Sequence, residues 1–166
     1  LTEDIILLSS LDEKSRAELS DNVDLAAIAA ESIRALENKA LKNSVSVKLV
    51  AEETEITANR TQMYELLLNL IDNAIKYNKP GGKVDVCIYR KKGRIRIKVS
   101  DTGIGIPKED QGRVFERFYR VDRSRSKHTG GTGLGLAIVK HIVLAQGGSI
   151  GMKSKAGEGT EIKVVF

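Results

Sequence analysis

The run Arg60-Thr-Gln-Met-Tyr-Glu-Leu-Leu-Leu-Asn-Leu-Ile-Asp-Asn-Ala-Ile-Lys-Tyr-Asn78 constrains this chain more than any other stretch. Met63, Leu67, Leu70, Ile71 and Ala74 recur at helical spacing, which predicts an amphipathic helix buried along one side. On the other side Asn69 and Asn73 stand one turn apart, with Lys76 above them and Tyr77 on the flank. Asn costs about half a kcal/mol against Ala inside a helix. Two of them mark either a tolerant exposed face or a site. Paired amide oxygens beside an ammonium suit a hard cation and the anion that it neutralises, as magnesium does when it shares its octahedron with phosphates.

A chain of 166 residues, 41% apolar and 30% charged, fits one globular domain with a small appendage. No window reaches the length of a membrane span. Cys87 is the sole cysteine, so no disulfide forms within the chain and a reducing cytosolic setting is expected. The sequence starts at Leu1 without a secretory leader and reads as a fragment of something longer. A net charge of +5 raises nucleic acid as a partner, but aromatics are only 4% and do not interleave with the cations. Many cations gather between Arg113 and Lys127, where a basic loop handling phosphates explains them without nucleic acid.

Leu1 to Asp12 has helical spacing and a polar stretch follows, so residues 1–22 read as the end of a preceding helix and a linker, with the domain proper at 23–166. Asp24 is a candidate N-cap for a helix to Lys42 carrying Leu25, Ile28, Ala29, Ile33, Leu36 and Leu41. Val45 to Val50 reads as a strand, and Thr57 to Asn59 leads into the central helix. That helix stops at Lys79-Pro-Gly-Gly82. Lys83 to Tyr89 and Arg94 to Ser100 form an expected hairpin with Ile95, Ile97 and Val99 inward. A short helix is expected near Glu109 to Phe118, then a basic segment to Gly130. Leu134 to Ala145 is a second clear helix closed by Gly147-Gly148, and a last hairpin pairs Gly148–Lys153 with Glu161–Phe166. The expected class is α+β: a two-layer sandwich with a mixed, mostly antiparallel sheet and helices on one face.

Three further stretches carry chemistry. Asp101 ends an alternating strand and precedes Thr102-Gly-Ile-Gly105. A carboxylate there accepts from an amino group such as adenine's and is repelled by guanine's carbonyl. An ordinary strand-to-loop turn has the same residues. Gly130-Gly-Thr-Gly-Leu-Gly-Leu136 puts four glycines in six positions against a helix start, which favours an anion. It is neither a Walker loop nor a dinucleotide fingerprint, and a plain hinge is the alternative. Between them, Phe115-Glu-Arg-Phe-Tyr-Arg120 and the cations after it have the make-up of a lid.

Together Asn69-Leu-Ile-Asp-Asn73-Ala-Ile-Lys-Tyr77, Asp101-Thr-Gly-Ile-Gly105, Phe115-Glu-Arg-Phe-Tyr-Arg120 and Gly131-Thr-Gly-Leu-Gly-Leu136 resemble, in order, the four boxes of the catalytic ATP-binding domain of bacterial sensor histidine kinases. The phosphate-regulon sensor type is among the most similar, and the resemblance runs from about Asp24 to Phe166. It implies the Bergerat α/β sandwich, shared with DNA gyrase, mismatch-repair ATPases and heat-shock chaperones, with a flexible ATP lid. It also implies Mg²⁺ and ATP as cofactors. Asn73 would be the principal magnesium ligand with Asn69 beside it, Lys76 would meet the phosphates, and Tyr77 would pack near ribose and phosphates. Asp101 would read the adenine amino group while Gly103, Ile104 and Gly105 line the base. Arg120 would reach the γ-phosphate, and Gly131, Thr132, Gly133, Leu134 and Gly135 would close over the phosphates. Asn69, Lys76 and Arg120 would then stand nearest the chemistry.

ATPases of the fold carry a glutamate base where this chain has Asn69, so the resemblance favours phosphoryl transfer over hydrolysis, the alternative being an ATPase or a regulatory module. The acceptor histidine of such kinases lies on a separate helical dimerisation domain. Neither His128 nor His141 has its motif. The implied partners are that dimerisation domain and a response regulator aspartate, with no nucleic acid. The fragment would be a monomer or weak dimer, and the intact protein a homodimer in the bacterial cell membrane with this domain in the cytoplasm.

Overall fold

The computed structural model describes residues 21–121 and 132–166. The expected helical stub and nearly all of its linker lie outside the described residues. In chain order the elements are β1 (Asp21–Asp24), α1 (Leu25–Lys42), β2 (Ser46–Ala51), β3 (Glu55–Ala58), α2 (Arg60–Lys76), β4 (Lys83–Lys91), β5 (Arg94–Asp101), α3 (Gly135–Ala145), β6 (Ser149–Lys155) and β7 (Gly159–Val165). The main sheet has the order β2-β4-β5-β7-β6. β2 runs parallel to β4 and every other pair is antiparallel.

Side chains alternate across this sheet. Val84, Val86 and Ile88 of β4, Ile95, Ile97 and Val99 of β5, and Ile162 and Val164 of β7 are buried. They meet the inward stripe of α2 (Met63, Leu66, Leu67, Leu70, Ile71, Ala74, Ile75) and the buried residues of α3, including Ile138 and Ile142. Among the described residues, helices therefore cover one face of the sheet and nothing packs on the other. α1 packs on α2 through Leu25, Ile28, Ala29, Ser32, Leu36 and Ala40. The helix–sheet sandwich is the α+β arrangement expected from the sequence.

Local chemistry sets the ends of these elements. Asp24 Oδ1 accepts from the N–H groups of Ala26 (2.9 Å) and Ala27 (3.3 Å), and Asn59 Oδ1 accepts from that of Gln62 (3.0 Å). Lys92 and Gly93, at φ +53° and +74°, make the two-residue β4–β5 turn. α3 ends as a Schellman motif: Gly147, at φ +72°, donates to Leu144 O and Gly148 donates to Val143 O. Replacing the first cap, Asp24→Ala, is expected to lower stability by about 1 kcal/mol in urea unfolding without changing nucleotide affinity.

Two expectations fail. Glu109–Phe118 is not a helix but a chain of turns, with Asp110, Arg113 and Glu116 each donating to the carbonyl three residues back. Val114 is its one buried apolar residue, Gly112 interrupts it, and Gln111 spends its amide on Ile106 O and Ser154 O. Leu41 is 69% exposed because it sits off the α1 stripe. Ser32 takes a stripe position instead, donating to Ile28 O at 2.9 Å. The two-stranded sheet of β1 and β3 was not expected at all. Among the described residues no helix is long and apolar enough to cross a membrane.

Candidate functional site

The solvent-facing side of α2 is where the remote motifs meet. Asn69 donates its Nδ2–H to Glu65 O at 2.9 Å, which leaves Oδ1 as an acceptor. The first residue of α3, Gly135, lies directly against it. A Cβ at Gly135 would stand 2.9 Å from Asn69 Oδ1 and 3.4 Å from Asn73 Nδ2. So the start of α3, with its free amides, faces the paired asparagines of α2. A side chain at Gly135 would fill the space between them.

The other end of the site is built on the C-terminus of α2. Ile104 donates to Tyr77 O (3.0 Å), and a Cβ on Gly103 would collide with that same carbonyl oxygen. Asn78 ties the corner: its Nδ2 donates to Lys83 O at 3.0 Å, and Thr102 Oγ1 both accepts from Lys83 N (2.9 Å) and lies 3.4 Å from Asn78 Oδ1. Gly105, at φ +65°, rests on the β6–β7 hairpin so closely that a Cβ would collide with Lys155 O. Gly157 donates to Ile104 O at 2.7 Å from the same hairpin.

Asp101 sits at this corner, half-buried, with Oδ1 accepting from Gly103 N at 2.8 Å. Burial pushes its carboxyl above the usual range, and the backbone N–H groups of Gly103 and Thr160 pull part of the way back. At the C-terminal end of α2, burial lowers the Lys76 ammonium, with Lys39 and Arg120 acting in the same direction and Asp72 opposing them. Asp72 is paired with Lys39. Burial likewise raises the Tyr77 hydroxyl. Tyr77 is 40% exposed, and Lys76 Nζ lies 5.3 Å from its ring centroid. Cations thus gather with less than their share of carboxylate, a setting that favours an incoming anion.

The expected lid residues are partly described. Phe118 donates to Gly133 O (3.0 Å), and a Cβ on Gly133 would come within 2.8 Å of the Phe118–Tyr119 backbone. Phe118 itself has φ +63° and is 57% exposed. Tyr119 donates to Asp110, and Arg113 stacks 4.2 Å from its ring centroid. Thr132 is half-buried beside this turn, whereas Leu134 is wholly buried in the core, which leaves only its backbone to face a ligand. Gly131, His128 and the basic stretch before Gly130 lie outside the described residues. His141 is half-buried on α3.

Among the described residues no three His, Cys, Asp or Glu side chains cluster to hold a metal. The donors on hand are the amide oxygens of α2. They suit a hard cation that takes most of its ligands from phosphate and water. Asn78, Thr102 and Gly159, whose added Cβ would collide with Asp101 O, were not singled out from the sequence. Asn78 follows Tyr77 directly, and that adjacency is the one signal it offered.

Residues 58–166 match the family described as histidine kinase-, DNA gyrase B-, and HSP90-like ATPase. This chain belongs to that family. Within it, the chain is 40% identical over 158 residues to the sensor-like histidine kinase SenX3 of Mycolicibacterium smegmatis, covering 95% of this chain and 41% of SenX3. It is 46% identical over 118 residues to the histidine-protein kinase ArlS of Staphylococcus aureus, covering 71% of this chain and 26% of ArlS. The chain thus spans less than half the length of these relatives. Among solved structures, the mycobacterial sensor histidine kinase MprB superposes with a TM-score of 0.77 at 29% identity, over 88% of this chain and 95% of that one. The Acinetobacter baumannii histidine kinase AdeS does so with 0.79 at 27%, over 100% and 76%. Binding of ATP is the property this histidine kinase-like ATPase family shares.

Proposed function

We propose that this chain is the catalytic part of a sensor histidine kinase, binding Mg-ATP and presenting its γ-phosphoryl to a histidine on a separate dimerisation domain. From there the phosphoryl passes to an aspartate of a response regulator. The observation that carries the reading is the seating of Gly135 against Asn69 and Asn73, which sets a helix start opposite two amides on α2. The amides of residues 131–135 cradle the phosphates, while Lys76 and Arg120 neutralise them. Mg²⁺, held in part by Asn73 and Asn69, supplies charge neutralisation of the phosphate oxygens. Asp101 accepts from the adenine amino group, and Gly103, Ile104 and Gly105 wall the base beside Tyr77. With an amide at position 69 rather than a carboxylate, water activation is weak, which supports transfer over hydrolysis.

In the intact protein, a homodimer anchored in the bacterial membrane, this part faces the cytoplasm; alone it is a monomer or weak dimer. Calorimetric titration with ATP and GTP, with and without Mg²⁺, tests the site. ATP binding that exceeds GTP binding and strengthens with Mg²⁺ is expected. Equal binding of both nucleotides would overturn the assignment of Asp101. Asn73→Ala is expected to weaken Mg-ATP binding roughly tenfold, with little change in metal-free binding. Adding a His-bearing dimerisation domain in trans should then produce acid-labile phosphate on that domain, and rapid ATP hydrolysis without it would favour an ATPase instead.

A further inference from the structure

The helix-covered face of the sheet accounts for the core and the site, but the chain's excess positive charge lies elsewhere. The strand register and the alternation of burial put Lys48 of β2, Lys83 and Lys91 of β4, Arg94, Arg96 and Lys98 of β5, Lys153 and Lys155 of β6 and Lys163 of β7 on the uncovered face. The carboxylates on that face are Asp85 and Glu161. Nine cations against two anions is a surplus of seven, set beside +5 for the whole chain.

Their placement is costly in the free protein. Lys98 is the direct cross-strand partner of Lys163, and Lys91 is the direct partner of Arg94. Like charges opposite one another destabilise a sheet. Glu161 relieves the first pair, at 3.6 Å from Lys98 Nζ, and no described carboxylate pairs with the second. A partly buried, predominantly positive surface across five strands returns that cost when it meets a dense array of anions.

We propose that this open sheet face docks on an anionic lipid surface. Seven of the nine cations are lysines, a residue type depleted from protein interfaces, and between them stand Ser100, Ser149 and Gly151 rather than aromatic anchors. Tyr89 is the one aromatic of the face among the described residues, too little for a platform that stacks single-stranded bases. Diffuse attraction of lysines to a charged bilayer needs neither anchor nor pocket. Docking this way leaves the helix layer, with Asn69, Asn73 and Lys76, turned away from the lipid. The inference stands apart from the nucleotide reading, since no residue is shared.

The test is co-sedimentation of the 166-residue chain with vesicles of mixed phosphatidylglycerol and phosphatidylcholine, and with pure phosphatidylcholine, at low and high salt. The comparison variant is the triple reversal Lys48→Glu, Arg94→Glu, Lys163→Glu. Binding to anionic vesicles alone, screened by salt and about 100-fold weaker in the variant, is expected. ATP titration should give the same affinity in both proteins, which shows that the variant folds. A variant that sediments as well as the parent would assign any lipid binding to the basic stretch around Arg120 and overturn the proposal. Absence of vesicle binding, or tighter binding to duplex DNA than to vesicles, would overturn it too.

Discussion

Asp101→Asn is expected to weaken ATP binding by about 10- to 100-fold and to abolish its preference over GTP, while the free protein melts at the same temperature or higher. The two halves have one cause. A carboxylate that accepts from a neutral amino group gives up a charge-assisted hydrogen bond of about 1.5–3 kcal/mol on amidation, and the new amide also presents a donor toward the base. Without nucleotide, though, the same carboxylate is held ionised in a half-buried corner that raises its pKa. Between the ordinary carboxylate value of about 3.9 and that raised value, the folded protein keeps a proton that the unfolded chain has released. Stability therefore falls as pH rises through this window, and the loss persists above it. The Asn variant escapes that loss, so its melting advantage should appear above the window and vanish below it. ATP binding by the parent should weaken as pH falls through the raised pKa, because the amino group needs the ionised acceptor. Melting curves and titrations from acid to neutral pH check both statements; a variant that melts lower at neutral pH would show that Asp101 serves mainly to hold the Gly103 turn.

Gly105→Ala is expected to destabilise the fold by about 3 kcal/mol, roughly 10 °C in melting temperature, and to remove nucleotide binding with it. Its φ of +65° alone costs a side chain about 1 kcal/mol. The added methyl also points at the backbone carbonyl of Lys155, which no rotamer can move aside. Relief requires the β6–β7 tip to back away, breaking the Gly157–Ile104 hydrogen bond and loosening the wall beside the base. Gly112→Ala serves as control, because a Cβ there meets nothing within 4 Å. Urea unfolding and ATP titration of both variants separate the strain from any general effect of adding a methyl.

Much of this architecture is legible in the chain because its signals are local. Leu67, Leu70 and Ile71 repeat at the helical period, Ile95, Ile97 and Val99 at the strand period, and Gly147-Gly148 stops a helix by conformation alone. β1 and β3 are hidden for the opposite reason. Four residues such as D-N-V-D hold too short a pattern, and they become strands only because each supplies the other's hydrogen bonds. The turns after Pro107 show the same limit: a helical spacing of Val114 and Phe118 gives no helix when Phe118 is left 57% exposed. The composition of the site is readable, but its joints are not. Nothing near Asn78 signals that it will clasp Lys83 and Thr102, or that Gly135 will meet Asn69 across sixty-six positions of sequence.

The order β2-β4-β5-β7-β6 also bears on how the chain emerges from the ribosome. β5 is the middle strand, yet one of its two neighbours is β7, which leaves the ribosome after every other strand of this sheet, and Ile95 exchanges both backbone hydrogen bonds with Phe166. Until that hairpin has cleared the exit tunnel, Ile97 and Val99 belong to an open edge that a chaperone or another nascent chain can occupy. Asp101 at that stage lacks the Thr160 amide, and Gly105 lacks the hairpin it rests on. The corner that holds Asp101 is therefore completed only when the final hairpin of the sheet is in place.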